Sequence, residues 1–288
     1  VAGLGELAPG YDVVLCDIWG VVHNGRQHFA RACAALARFR ADGGTVVLIT
    51  NAPRPQGPVR AQLDRLGVPH AAYDAIVTSG DVTLAFIEER GTRPLYHIGP
   101  QRDLALFEIL RAEKGLAPPL IELARADYVV CTGLFHDDHE TPEDYDAILA
   151  AMRTRGLVMI CANPDLVVHV GERLIYCAGA LAERYAERGG RVLQAGKPYP
   201  PIYDRALGLA QIIRDRPVER ARVLAIGDAM RTDIKGACDQ GIDALFVTSG
   251  IHRDELHAPA GLLDRSAYAQ FLAGTDCRPR AAIAELAW

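Results

Sequence analysis

No excess of positive charge marks this 288-residue chain, in which 31 lysines and arginines face 36 aspartates and glutamates for a net charge of −5. The electrostatic footprint of a nucleic-acid binder is therefore missing. No polybasic cluster or basic amphipathic helix stands out, which excludes an anionic membrane surface as a partner. No apolar run approaches the ~18 residues that span a bilayer, and the start shows no basic stretch followed by a hydrophobic one. The chain opens on Val1, so the natural start is expected to lie upstream. The seven cysteines, at 16, 33, 131, 161, 177, 238 and 277, contain no CxxC pair. Scattered, odd in number and often inside apolar runs, they argue for a reducing cytoplasm and against a disulfide framework. Internal repeats and low-complexity segments are also lacking.

What the chain does have is an ordinary globular balance, 50% hydrophobic and 23% charged, with length enough for about two domains. Short runs rich in β-branched residues alternate with helical patterns. Val13–Asp17, Thr45–Ile49 and Ala75–Thr78 read as strands, separated by helices over 29–40 and 59–66. A second series follows, with strands at 95–98, 128–131, 158–161 and 191–193 and helices at 103–114, 142–155 and 178–187. The earlier character then returns in a helix from Pro201, strands at 222–226 and 244–247, and a helix over 232–240. Short helices are expected at 268–272 and 281–286. This β-α-β rhythm predicts an α/β fold built on parallel sheets.

Four polar groups stand at or just beyond the ends of apolar runs: Asp17 in VVLCDIWG, Thr50 in VVLITN, Lys197 in AGKP and Asp228 in IGDAMRTD. Right-handed crossovers would carry strand ends of one parallel sheet to the same edge. Taken singly, a strand-end Asp is a turn former, Thr50-Asn51 a cap and Lys197 a solvated charge. Together, a carboxylate nucleophile, a hydroxyl, an ammonium and a second carboxylate suit phosphoryl transfer. In that reading Asp17 attacks phosphorus while Thr50 and Lys197 hold phosphate oxygens. Asp17 and Asp228 would ligate Mg²⁺, with Asp233 anchoring the ion's water shell.

Other patterns carry less. Gly190 to Gly196-Lys197 has the wrong spacing for a Walker A loop, and Pro198 replaces its Ser or Thr. Gly3-Leu4-Gly5 follows no strand, His136-Asp137-Asp138-His139 reads as a solvated acidic loop, and no GxSxG elbow occurs.

Asp17, Thr50, Lys197 and Asp228 with Asp233 resemble, in order, the four motifs of the haloacid dehalogenase (HAD) superfamily, over about residues 13–250. The 33 positions from Asp17 to Thr50 leave no room for a cap, whereas the 147 from Thr50 to Lys197 hold a whole α/β domain. That placement resembles class IIA, the branch of nucleotide, p-nitrophenyl phosphate and pyridoxal phosphate phosphatases. Ser79, Asn163-Pro164-Asp165 and Arg231-Thr232-Asp233-Ile234 match further. The resemblance implies a Rossmann-like HAD core (1–84 and 194–288) and an inserted C2-type α/β cap (85–193). It implies a Mg²⁺-dependent phosphohydrolase forming an aspartyl-phosphate on Asp17 and acting on a small phosphorylated metabolite. The ion would be held by Asp17, the backbone carbonyl of Trp19 and Asp228, and the substrate by Gly20, His23, Asn24, Asn51, Asn163 and Asp165. Several relatives dimerise through the cap, so a homodimer is an arrangement the resemblance allows.

One position departs from the family. Trp19 stands where the family has a second Asp that protonates the leaving group and later activates water. Such help is typically worth about 10²–10⁴-fold. His23, four residues on, is either a substitute acid or a pocket-lining residue. Two other classes of function are weighed. Some haloacid dehalogenases carry an aromatic residue at this position, but their cap follows the first motif and they need no metal. A phosphate-ligand binding or regulatory protein would have lost turnover altogether.

Overall fold

The computed structural model describes residues 1–170, 173–258 and 263–288. In chain order its strands are β1 Val13–Asp17, β2 Thr45–Thr50, β3 Ala75–Thr78, β4 Leu95–Ile98, β5 Tyr128–Cys131 and β6 Val158–Cys161. There follow β7 Val167–Val170, β8 Arg173–Tyr176, β9 Arg191–Gln194, β10 Val223–Gly227, β11 Asp243–Val247 and β12 Ala281–Ile283. The chain divides into two compact units. The first holds Val1–Thr50, Arg60–Val77 and Tyr203–Trp288; the second holds Asn51–Val59 and Thr78–Ile202.

The first unit is built on a six-stranded sheet of order β12-β11-β10-β1-β2-β3. Every residue of β1, β2 and β10 is buried, as near-continuous apolar runs demand when helices cover both faces of a parallel sheet. The chain runs outward from β1 through β2 to β3, then resumes on the other side of β1 with β10, β11 and β12. Strand order therefore reverses between β1 and β10, the place where open parallel sheets form ligand crevices at their carboxyl ends. Register sharpens this. Cys16 pairs with Ile226, so Asp17 and Asp228 lie one and two residues past that pair, while Asp17 itself sits beside Ile49, one residue before Thr50.

The second unit carries its own parallel sheet, β4-β5-β6-β9, and an antiparallel β7-β8 hairpin. One apolar cluster joins Leu84 and Ile87 of the helix Ser79–Glu88 to Leu95, Leu106, Leu110, Tyr128, Val130 and Ile160. That packing places the helix in the second unit. At the other end, residues 194–202 also group with the second unit.

Two expectations are corrected. The 281–286 stretch is not a helix: Ala281–Ile283 pairs in parallel with β11, Leu245 opposite Ala281. Alanine-rich sequence favours helix locally, but the open edge of β11 offers backbone hydrogen bonds that outweigh that preference. The single helix expected over 232–240 begins earlier, as a π-helical turn Met230–Ile234, and continues as the α-helix Lys235–Asp239. Among the described residues no helix is long and apolar enough to cross a membrane.

Candidate active site

At the carboxyl edge of the first unit's sheet, carboxylate oxygens of Asp17, Asp228 and Asp233 all lie within 4.8 Å of one another. The three side chains are buried, at 6%, 6% and 4% exposure. Each comes from a different constraint. Asp17 is the last residue of β1, and Asp228 follows the last residue of β10. Asp233 lies in the π-turn, where its Oδ2 accepts the Ala229 N–H at 3.0 Å and so caps the turn that carries it. Like charges this close in a buried setting repel strongly unless a cation sits among them. An all-oxygen set of three carboxylates has the chemistry of a hard divalent ion, and the residues present therefore fit Mg²⁺.

Glycines make room for Asp228. A Cβ on Gly20, which holds φ +83°, or on Gly250 would fall inside van der Waals contact of Asp228 Oδ2. With that space open, the Ile251 N–H donates to the same oxygen at 2.8 Å. One residue on, His252 Nε2 accepts the Met230 N–H at 3.3 Å, and its Nδ1 lies 3.1 Å from Glu255 Oε1. The loop after β11 thus grips both the Asp228 carboxylate and the first residue of the π-turn. Residue-type motifs did not reveal this grip, since it works largely through backbone N–H groups.

Trp19 is fixed inside its own loop. Its ring meets His23 edge-on, with centroids 5.1 Å apart at 78°, and a Cβ on Gly25 would lie 2.5 Å from Trp19 Cη2. Gly20 N–H donates to His23 O at 2.8 Å, and Gly25 N–H donates to His23 Nδ1 at 3.0 Å. With Nδ1 accepting, the neutral His23 ring carries its proton on Nε2. Asn24 is exposed, and its Oδ1 accepts from the Arg26 and Gln27 N–H groups, both at 3.0 Å, which makes it the builder of this turn. Thr50 is buried at the end of β2.

The remaining candidates belong to the second unit. Asn51 Oδ1 accepts the Lys197 N–H at 2.7 Å, while its Nδ2 donates to Lys197 O at 3.1 Å and to Asp165 Oδ1 at 2.9 Å. Asn163 Oδ1 accepts the Asp165 N–H at 3.1 Å. Lys197, 2% exposed, follows Gly196, where a Cβ would lie 2.7 Å from Pro164 Cδ and 2.9 Å from Ser79 Oγ. Here Asn51, Asn163, Asp165 and Lys197 form one connected group at the ends of β6 and β9.

A parallel α/β unit with a carboxylate cluster at its switch point, interrupted by a second α/β unit, defines a Rossmann-like hydrolase core with a cap. Residues 14–111 match the family model described as haloacid dehalogenase-like hydrolase, and residues 194–267 match a second, HAD-hydrolase-like model. A crystal structure described as a hydrolase of the haloacid dehalogenase-like family from Brucella suis 1330 shares 48% identity over 99% of each chain, with a TM-score of 0.85. The 5′-nucleotidase YutF of Bacillus subtilis is 24% identical over 88% of this chain and 95% of its own. The D-glycerol 3-phosphate phosphatase of Mycobacterium tuberculosis is 29% identical over 86% of this chain and 65% of its own. The chain belongs to the haloacid dehalogenase-like hydrolase family, with the class IIA arrangement in which the α/β insert falls between the Thr50 and Lys197 motifs.

Proposed function

We propose that the protein is a cytoplasmic, Mg²⁺-dependent phosphatase of a small phosphorylated metabolite, working through an aspartyl-phosphate on Asp17. The observation that carries this reading is the trio of buried carboxylates within 4.8 Å at the sheet's switch point. The names of YutF and of the glycerol phosphate phosphatase support phosphate esters as the substrate class. Asp17, Asp228 and the backbone carbonyl of Trp19 would hold Mg²⁺, with Asp233 acting through its water shell. When bound, the ion offsets charge on the phosphoryl oxygens and draws them to the nucleophile.

In the proposed step one Asp17 oxygen forms a bond to phosphorus as the ester P–O bond breaks, and the leaving oxygen departs with the electron pair. Thr50 and Lys197 hold phosphoryl oxygens, and Lys197 also balances their charge. Residues 85–193 serve as the cap, and Gly20, His23, Asn24, Asn51, Asn163 and Asp165 are proposed to shape substrate choice. Trp19 leaves the first motif without a carboxylic acid at that position, because an indole N–H does not transfer its proton at neutral pH. Leaving groups that depart without protonation are therefore favoured. A homodimer is the proposed assembly.

The test is a panel of alkyl, aryl and acyl phosphates together with 2-haloacids, assayed with Mg²⁺ and with chelator. Phosphate release that requires the ion and stops in Asp17→Asn supports the proposal, as does trapping of one phosphoryl group on the Asp17 peptide. Halide release without metal overturns it. Tight phosphate binding with no turnover of any ester would assign the chain to ligand binding instead.

A further inference from the structure

Ser79 is the first residue of the helix Ser79–Glu88 and follows directly on β3, which lies beside β2 in the sheet. It is 0% exposed, and its Oγ makes no hydrogen bond among the described residues. The helix does not need this hydroxyl. Its start is closed by a capping box, in which Thr78 Oγ1 accepts the Asp81 N–H at 2.9 Å and Asp81 Oδ2 accepts the Thr78 N–H at 3.0 Å. Neighbouring backbone groups are engaged elsewhere: the Gly80 N–H donates to Ala52 O at 3.0 Å, and Gly196 O accepts the Tyr199 N–H at 3.0 Å. A Cβ on Gly196 would lie 2.9 Å from Ser79 Oγ and 2.3 Å from Asn51 Oδ1. The hydroxyl therefore abuts the group formed by Asn51, Gly196 and Lys197, in which the Asn51 amide is already bonded to Lys197 and Asp165. A buried hydroxyl without a partner keeps its desolvation penalty, and alanine here would remove that penalty and suit the helix better. A residue that breaks local rules with no local gain marks a functional position.

We propose that Ser79 is a further phosphate-binding residue, whose hydroxyl donates to a phosphoryl oxygen of the substrate beside Lys197. The inference rests on the phosphatase reading, in which Lys197 holds that group. An anionic oxygen is the acceptor to which a hydroxyl donates most strongly, and serine supplies the donor without adding charge to the site. The penalty carried by the free protein is relieved when the phosphoryl group arrives, so the same hydroxyl lowers stability without ligand and raises affinity for it. That opposition of sign separates a ligand-binding hydroxyl from a structural one.

The experiment combines thermal melts of the unliganded full chain with calorimetric titration of inorganic phosphate in the presence of Mg²⁺. It compares the wild type with Ser79→Ala and with Tyr73→Phe, which removes another buried hydroxyl that makes no hydrogen bond among the described residues, in the first unit. Both variants are expected to melt at or above the wild type. Only Ser79→Ala should weaken phosphate binding, by about 10-fold or more. A Ser79→Ala protein that melts below the wild type has lost a bond made in the free chain, and the proposal falls. It falls equally if phosphate affinity is unchanged, the result for a hydroxyl that holds only a buried water, or if Tyr73→Phe weakens phosphate as much. A wild type that binds no phosphate overturns the phosphatase reading along with this one, so the two failures are told apart.

Discussion

Asn51 holds the backbone of Lys197 from both sides, accepting its N–H at 2.7 Å and donating to its carbonyl at 3.1 Å. One side chain thereby substitutes for a strand neighbour at the point where β9 has ended. Removing it in Asn51→Ala strands two buried backbone groups, at a cost of about 1–3 kcal/mol each. Because Lys197 is the proposed phosphate-binding cation, kcat/KM is expected to fall about 10²-fold while the far-UV circular dichroism stays unchanged. Steady-state kinetics beside a thermal melt would show whether the loss of activity exceeds the loss of stability.

The space around Asp228 yields a sharper test. A methyl group on Gly250 falls inside contact distance of the Asp228 carboxylate, so Gly250→Ala must displace either the loop or the ligand. Its Mg²⁺ affinity is expected to drop by about 10-fold or more, about 1.4 kcal/mol, in titration calorimetry. Gly208→Ala serves as the control. Its Cβ meets nothing within 4 Å on the helix Pro200–Arg214, so metal binding should be untouched and the melting temperature should rise slightly.

Trp19→Asp restores a carboxylic acid to the loop of β1. Turnover of alkyl phosphates is expected to rise by up to about 10²-fold, with a smaller gain for aryl phosphates, whose leaving groups need no proton. The rate ratio between the two ester classes is the quantity to read, because loss of indole packing against Gly25 lowers both rates alike. An unchanged ratio would remove position 19 from the leaving-group chemistry.

His97 supplies a pH signature in the second unit. Burial lowers its pKa to about 4, and its Nε2 lies 2.9 Å from Thr132 Oγ1. The unfolded chain therefore binds a proton near pH 6.5 that the folded chain refuses until about pH 4. Stability present above pH 6.5 is lost progressively as pH falls towards 4, by up to about 3 kcal/mol. Urea midpoints measured across that window should decline in the wild type and flatten in His97→Gln.

Much of this architecture was legible because buried parallel strands leave an unambiguous trace. Ala75–Thr78, Leu95–Ile98, Tyr128–Cys131 and Val158–Cys161 read as strands with the bounds the structure gives them. Each is a short apolar run closed by polar or turn-forming residues. The β7-β8 hairpin left no such trace. Three of the four β8 residues, Arg173, Leu174 and Tyr176, are exposed, so no burial alternation marks the strand. Ala281–Ile283 was misread because an edge partner, not residue preference, decides its conformation. At the site, Asp17, Asp228 and Asp233 could be named from strand ends and spacing. The Ile251 N–H and the His252 acceptor could not, since a backbone donor belongs to every residue type alike.

The π-turn Met230–Ile234 has a further consequence, for how the segment tolerates changes of length. A wide turn holds one residue more than an α-helical turn, and each residue in a helix advances the chain by about 100°. Removing one residue from the wide turn would leave an α-helical turn of about the same sweep, so the helix Lys235–Asp239 beyond would keep its direction. What a deletion between 229 and 233 would break is the spacing that lets the Asp233 carboxylate accept the Ala229 N–H. The helix would tolerate the shorter chain, and the carboxylate would not.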